Sequence, residues 1–100
     1  TTTRIIIKIG GSTKNMNLDS GTFGDDYIVI TRDAVNLMTL WKNGVEQSGT
    51  QTLAGSCLVD AIGVRATDLN GFDGTIKEIQ IYSSSSADLT ANVNDRLSTL

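Results

Sequence analysis

Short apolar and β-branched runs separated by polar, turn-rich stretches mark strands along most of this chain, and only its end keeps a helical period. Arg4–Ile9 carries an unbroken Ile5-Ile6-Ile7 core and stops at Gly10-Gly11. Three consecutive apolar side chains on a strand must point to both faces, so that segment predicts a strand needing cover on each side. Residues 12–24 are polar and turn-rich, with room for a short edge strand over 15–18. Residues 27–32 are dense in β-branched side chains and predict a strand. After a turn at 34–36 comes Leu37–Lys42, with Leu37, Thr39 and Trp41 on one face and Met38, Leu40 and Lys42 on the other. Asn43-Gly44 follows at once. Both central positions of a type I′ turn need positive φ, so this pair predicts a hairpin between Leu37–Lys42 and residues 45–47.

Further strands are expected over 58–64 and 75–82, separated by a double turn at 68–74. Residues 83–86 are four serines, read as a spacer. Leu89, Val93, Leu97 and Leu100 then recur as one stripe of a helix, with Thr90 or Ser86 as its N-cap. The expected fold is all-β: an antiparallel two-sheet β-sandwich with a short C-terminal helix, in one domain over residues 1–100. Residues 27–32, 37–42 and 75–82 are its expected central strands, and Ile30, Leu40, Ile62, Ile76 and Ile81 its expected core.

Composition strengthens the strand reading and narrows the chemistry. Ten Ile, six Val and thirteen Thr are β-branched, while His and Pro are absent and Cys57 stands alone. Without His there is no Ser–His–Asp or Cys–His triad and no imidazole metal ligand. A single thiol completes neither a disulfide nor a thiolate zinc site, so Cys57 reads as a small buried apolar residue. A net charge of −3 with no basic run argues against nucleic-acid binding. Apolar runs far below the roughly 20 residues of a membrane span argue against membrane insertion. The Thr1-Thr2-Thr3 opening, without Met, suggests a processed product or the C-terminal part of a longer chain.

Two stretches resemble a known family. Ile28-Val29-Ile30-Thr31-Arg32-Asp33, followed by Leu40-Trp41-Lys42-Asn43-Gly44-Val45, resembles the hairpin of laminin-G-like, concanavalin-A-like jelly rolls. Phe72-Asp73-Gly74-Thr75-Ile76-Lys77-Glu78-Ile79-Gln80-Ile81-Tyr82 resembles the same family's late strand, and Leu89-Thr90 with the helix after it fits the usual continuation. The resemblance implies the jelly-roll fold. It implies function less sharply, because that fold serves lectins, adhesion modules, hydrolases and virion proteins alike. Complete members carry more strands before the first motif, so this chain would leave sheet edges that something else must cover.

Candidate sites follow from both readings. The glycanase branch of that fold places Glu-x-Asp-x-Glu on one strand face, whereas Glu46 and Glu78 each lack a carboxylate two residues away. No catalysis is expected, and Glu78 is assigned a structural hydrogen bond or ion pair. Asp68, Asn70 and Asp73 approximate a calcium loop, but with one residue too many before Asp73 and no acid twelve positions along. They read as turn residues, with calcium the only cofactor in view. Trp41 is a core or inter-subunit residue or a sugar platform, with Lys42, Asn43 and Asp33 as its potential polar companions. Asp25-Asp26 reads as a solvated pair before a strand. Ile5, Ile6 and Ile7 are the expected assembly residues. The function expected is a non-catalytic structural module of a virion, as a capsid decoration or tail-fibre protein, whose partners are copies of itself or other subunits. The alternative is a carbohydrate- or surface-binding module of an extracellular protein, with a surface glycan as partner.

Overall fold

The structure, a computed structural model, describes residues 3–56 and 75–100. The expected strand at 58–64, the turn at 68–74 with Asp68, Asn70 and Asp73, and the side chains of Cys57 and Ile62 lie outside the described residues. Among the described residues, six strands form two antiparallel sheets, and one short helix lies near the C-terminus. β1 (Arg4–Ile9) and β2 (Ser12–Asn17) make a hairpin in full register from Arg4 opposite Asn17 to Ile9 opposite Ser12. Its two-residue turn is Gly10-Gly11, and Gly10 takes φ 59°, as the first central position of a II′ turn requires.

The second sheet is built around β4 (Leu37–Lys42). β3 (Ile28–Arg32) runs along one side of it, and β5 (Val45–Glu46) and β6 (Gln51–Thr52) share the other. The Asn43-Gly44 turn forms as expected: Lys42 faces Val45, and the two residues take φ 52° and 80°. At the other end of β4, Asp33 Oδ1 accepts from the amides of Val35 and Leu37, which closes the β3–β4 connection.

The two sheets share one core. Ile9, Met16 and Leu18 from the hairpin side pack with Met38, Leu40 and Leu53, with Ile5, Ile7, Phe23 and Ile28 at the margin. Among the described residues one polar side chain is buried. Gln47 accepts from the Asp19 amide at 2.9 Å and donates to the Val45 carbonyl at 3.0 Å, so its burial leaves no amide atom unpaired.

α1 (Ala87–Leu97) begins at Ser86, whose Oγ accepts from the Leu89 amide, so Ser86 rather than Thr90 is the cap. Thr90 sits one turn inside and donates its hydroxyl to the Ser86 carbonyl. Asp88 in the first turn and Arg96 in the last both complement the helix dipole.

Residues 75–82 depart from expectation, because they form no strand. A strand exists only by pairing, and among the described residues none pairs with this segment. Glu78 and Gln80 are half-buried, while Ile76, Ile79 and Ile81 are exposed, Ile81 at 60%. Ile76 and Ile81 therefore leave the expected core. So does Ile30, which shares a face with Leu40 but lies on the sheet's outer strand and stays 39% exposed.

Candidate functional site

The polar residues offered as binding groups are spent on holding turns. Asn43 Oδ1 accepts from the Tyr27 amide at 3.0 Å, and its Nδ2 donates to Asp26 at 2.7 Å. Lys42 Nζ donates to the Thr22 carbonyl at 2.8 Å and lies 4.0 Å from Asp26. Asp33 caps its own loop. Asp26 is thus no free solvated acid but the hub of the Gly24–Asn43 corner, also accepting from the Gly24 amide. Trp41 is half-buried on β4, opposite Val29 and Glu46 and on the face away from Met38 and Leu40. The structure does not gather the three polar candidates at its ring: Lys42 lies on the other face of β4, Asp33 sits at the strand's far end beside Leu37, and all three are committed within the fold.

The carboxylates are dispersed in the same way. Glu46 is exposed on β5. Glu78 accepts two bonds from Arg96, at 2.8 and 3.2 Å, and a third from Gln80 Nε2 at 2.7 Å. Gln80 in turn accepts from the Tyr82 hydroxyl at 2.6 Å. That chain of side chains at every second residue ties α1 to the segment before it. No group of three His, Cys, Asp or Glu side chains converges among the described residues.

Three carboxyls are held below their ordinary pKa. For Asp19 the cause is the Ser48 hydroxyl, aided by the Ser48 amide. For Asp26 it is the Asn43 side chain, then the Gly24 amide. For Glu78 it is Arg96, whose own pKa is raised by the same contact. A carboxyl depressed in the folded chain stabilises it above the unfolded pKa and loses that contribution as pH falls through the folded value. The melting temperature is therefore expected to be flat from pH 7 to about 5 and to fall below about 4. A chain carrying Asp19→Asn, Asp26→Asn and Glu78→Gln should start lower at neutral pH and show a shallower acid limb in a pH series of thermal melts.

One concave feature among the described residues is mainly apolar. A cleft of about 560 Å³ opens beside β3, between Ile7, Ile9 and Ile30 of the sheets and Ile81, Leu89 and Val93 of the C-terminal part. Its polar groups are modest: Ser85 Oγ donates to the Arg32 carbonyl, and Arg32 clasps the carbonyls of Leu53 and Gly55. On the far side of the β1–β2 hairpin, Ile5 and Ile7 face the core and Ile6 faces outward at 57% exposure, between Arg4 and Lys8. Of the three expected assembly residues, only Ile6 is presented.

Neither a protein-family model, nor a curated protein, nor a solved structure matches the chain. No helix among the described residues is long and apolar enough to cross a membrane. Sequence reasoning missed Asp26, Gln47 and Arg32 as organising residues. Their distant hydrogen-bond partners lie 17 to 28 positions away, where no local spacing rule reaches.

Proposed function

We propose that this chain is a non-catalytic structural module that works within an assembly of subunits. The observation that carries the reading is its uncovered apolar surface. Ile6 on β1, Val45 on β5, and Ile76, Ile79, Ile81 and Tyr82 before the helix are all at least 45% exposed. A small chain that turns so many large apolar groups outward gains stability when a neighbour covers them. The finer reading is a concanavalin-A-like jelly roll, or its C-terminal part, serving as a virion component of the decoration or tail-fibre kind. Its support is the resemblance of residues 28–45 and 72–82 together with the two antiparallel sheets.

The carbohydrate-binding alternative is weaker, because Asn43, Lys42 and Asp33 are engaged within the fold. Sedimentation equilibrium from 1 to about 100 μM tests the proposal, in the concentration range where weak subunit contacts fill. Oligomers are expected to grow with concentration. A well-folded monomer throughout that range overturns the assembly reading. Glycan binding by such a monomer, lost in Trp41→Ala, would put the carbohydrate-binding module in its place.

A further inference from the structure

Charge is divided very unevenly along this chain. Residues 1–18 hold Arg4, Lys8 and Lys14 and no acid, whereas residues 19–100 hold five cations and eleven anions. The β1–β2 hairpin is therefore a cationic projection on an otherwise acidic molecule. Along the outer face of β1, Arg4, Ile6 and Lys8 alternate with inward-facing Ile5 and Ile7, so two cations flank one exposed isoleucine. The ion pairs among the described residues are Lys42–Asp26 and Arg96–Glu78, which leaves Arg4 and Lys8 outside both.

The complementary pattern stands on α1. Asp88 and Asp95 are exposed seven residues apart, which places them on one side of the helix with exposed Ala91 and Asn92 between. Two helical turns set these carboxylates about 10.5 Å apart along the axis. Four strand residues set Arg4 and Lys8 about 13 Å apart. The long Arg and Lys side chains absorb a difference of that size. Cation–isoleucine–cation thus meets carboxylate–alanine–carboxylate, with the short Ala91 side chain leaving room for Ile6.

We propose that the outer face of β1 docks on the outer face of α1 of a second copy of this chain. This rests on the assembly reading and names the surfaces that the assembly uses. Three cations on one hairpin are too few for a nucleic-acid footprint, while the matching acidic stripe is present on the chain itself. Made reciprocally, the contact closes a two-fold dimer. Ile6 and Ala91 supply the apolar centre, and the four charges set orientation and register.

A charge-swap series tests it in the full chain. Arg4→Glu with Lys8→Glu, and separately Asp88→Lys with Asp95→Lys, are each expected to weaken association about tenfold or more. Combining all four substitutions should bring the dissociation constant back to within about threefold of the parent, which unfolding or generic surface damage would not do. Raising salt from 50 to 500 mM should weaken the parent by about tenfold, since exposed ion pairs are screened. Far-UV circular dichroism on each variant shows that the fold is kept. Self-association that ignores both pairs, or is not restored by their combination, overturns this contact while leaving assembly through other apolar surfaces standing. A strictly monomeric parent overturns both.

Discussion

Leu40→Ala is expected to cost about 2–5 kcal/mol of folding stability, among the largest losses from any single truncation of the described residues. Leu40 is fully buried at the middle of β4 and packs in the cluster where the hairpin residues Ile9 and Met16 meet Met38 and Leu53. Shortening it leaves a hole bounded by two sheets, each fixed by its own ladder, so neither can collapse inward to fill it. The backbone at this position is equally engaged, since the Leu40 carbonyl accepts from the Gln47 amide at 2.8 Å. Ile30 is its cross-strand neighbour on the same face, yet it is partly open to solvent. Ile30→Ala should therefore cost about 1 kcal/mol or less, in proportion to the smaller area it covers. Urea titrations of the two variants side by side check the pair. Equal losses would mean that the β3 edge is covered in solution.

Asn43→Ala is expected to cost about 1–3 kcal/mol, more than an exposed turn residue usually does. Two effects combine. Alanine pays for φ 52°, a left-handed conformation that asparagine tolerates, and it also abandons the bonds to the Tyr27 amide and Asp26. Asn43→Gly separates them, because glycine relieves the backbone but restores neither bond. The glycine variant should fall between parent and alanine in thermal melts. If it matches alanine, the side-chain bonds dominate; if it matches the parent, the backbone conformation does.

These two positions also show what a sequence can and cannot tell. Leu37–Lys42, the Asn43-Gly44 turn and the C-terminal helix follow local rules, because a turn pair and a helical stripe carry their geometry in adjacent residues. The Gly10-Gly11 hairpin obeys the same rule and was legible, although the expectation stopped at a strand end. Residues 75–82 illustrate the limit. Their alternation suits a strand, but pairing depends on a neighbouring backbone that no local pattern specifies. Of the two caps the sequence allows, Ser86 is used and Thr90 is not, a choice undecided locally for a related reason: both hydroxyls suit a cap, and the difference is one turn of chain. Within the candidate site, the engagement of Asn43 by Tyr27 and Asp26 depends on tertiary approach, so the residue looked free. The charge division, by contrast, is a property of sequence alone, and only its placement on β1 and α1 needed the fold.

The anchoring of α1 sets an order of events for the whole molecule. None of its residues is fully buried, and its ties are the Arg96–Glu78 pair together with partial packing of Leu89, Val93 and Leu97. The sheets, by contrast, close on a continuous core. Among the described elements, α1 is therefore expected to open before the sheets, in a sub-global event that leaves both ladders intact and that hydrogen exchange would detect. A partner that needs α1 and the sheets both in place, as the reciprocal contact proposed above does, binds only the closed form and shifts that equilibrium by mass action. In the assembly proposed above, contact between subunits would do more than join them: a neighbour seated on α1 would hold in place an element that buries no residue of its own.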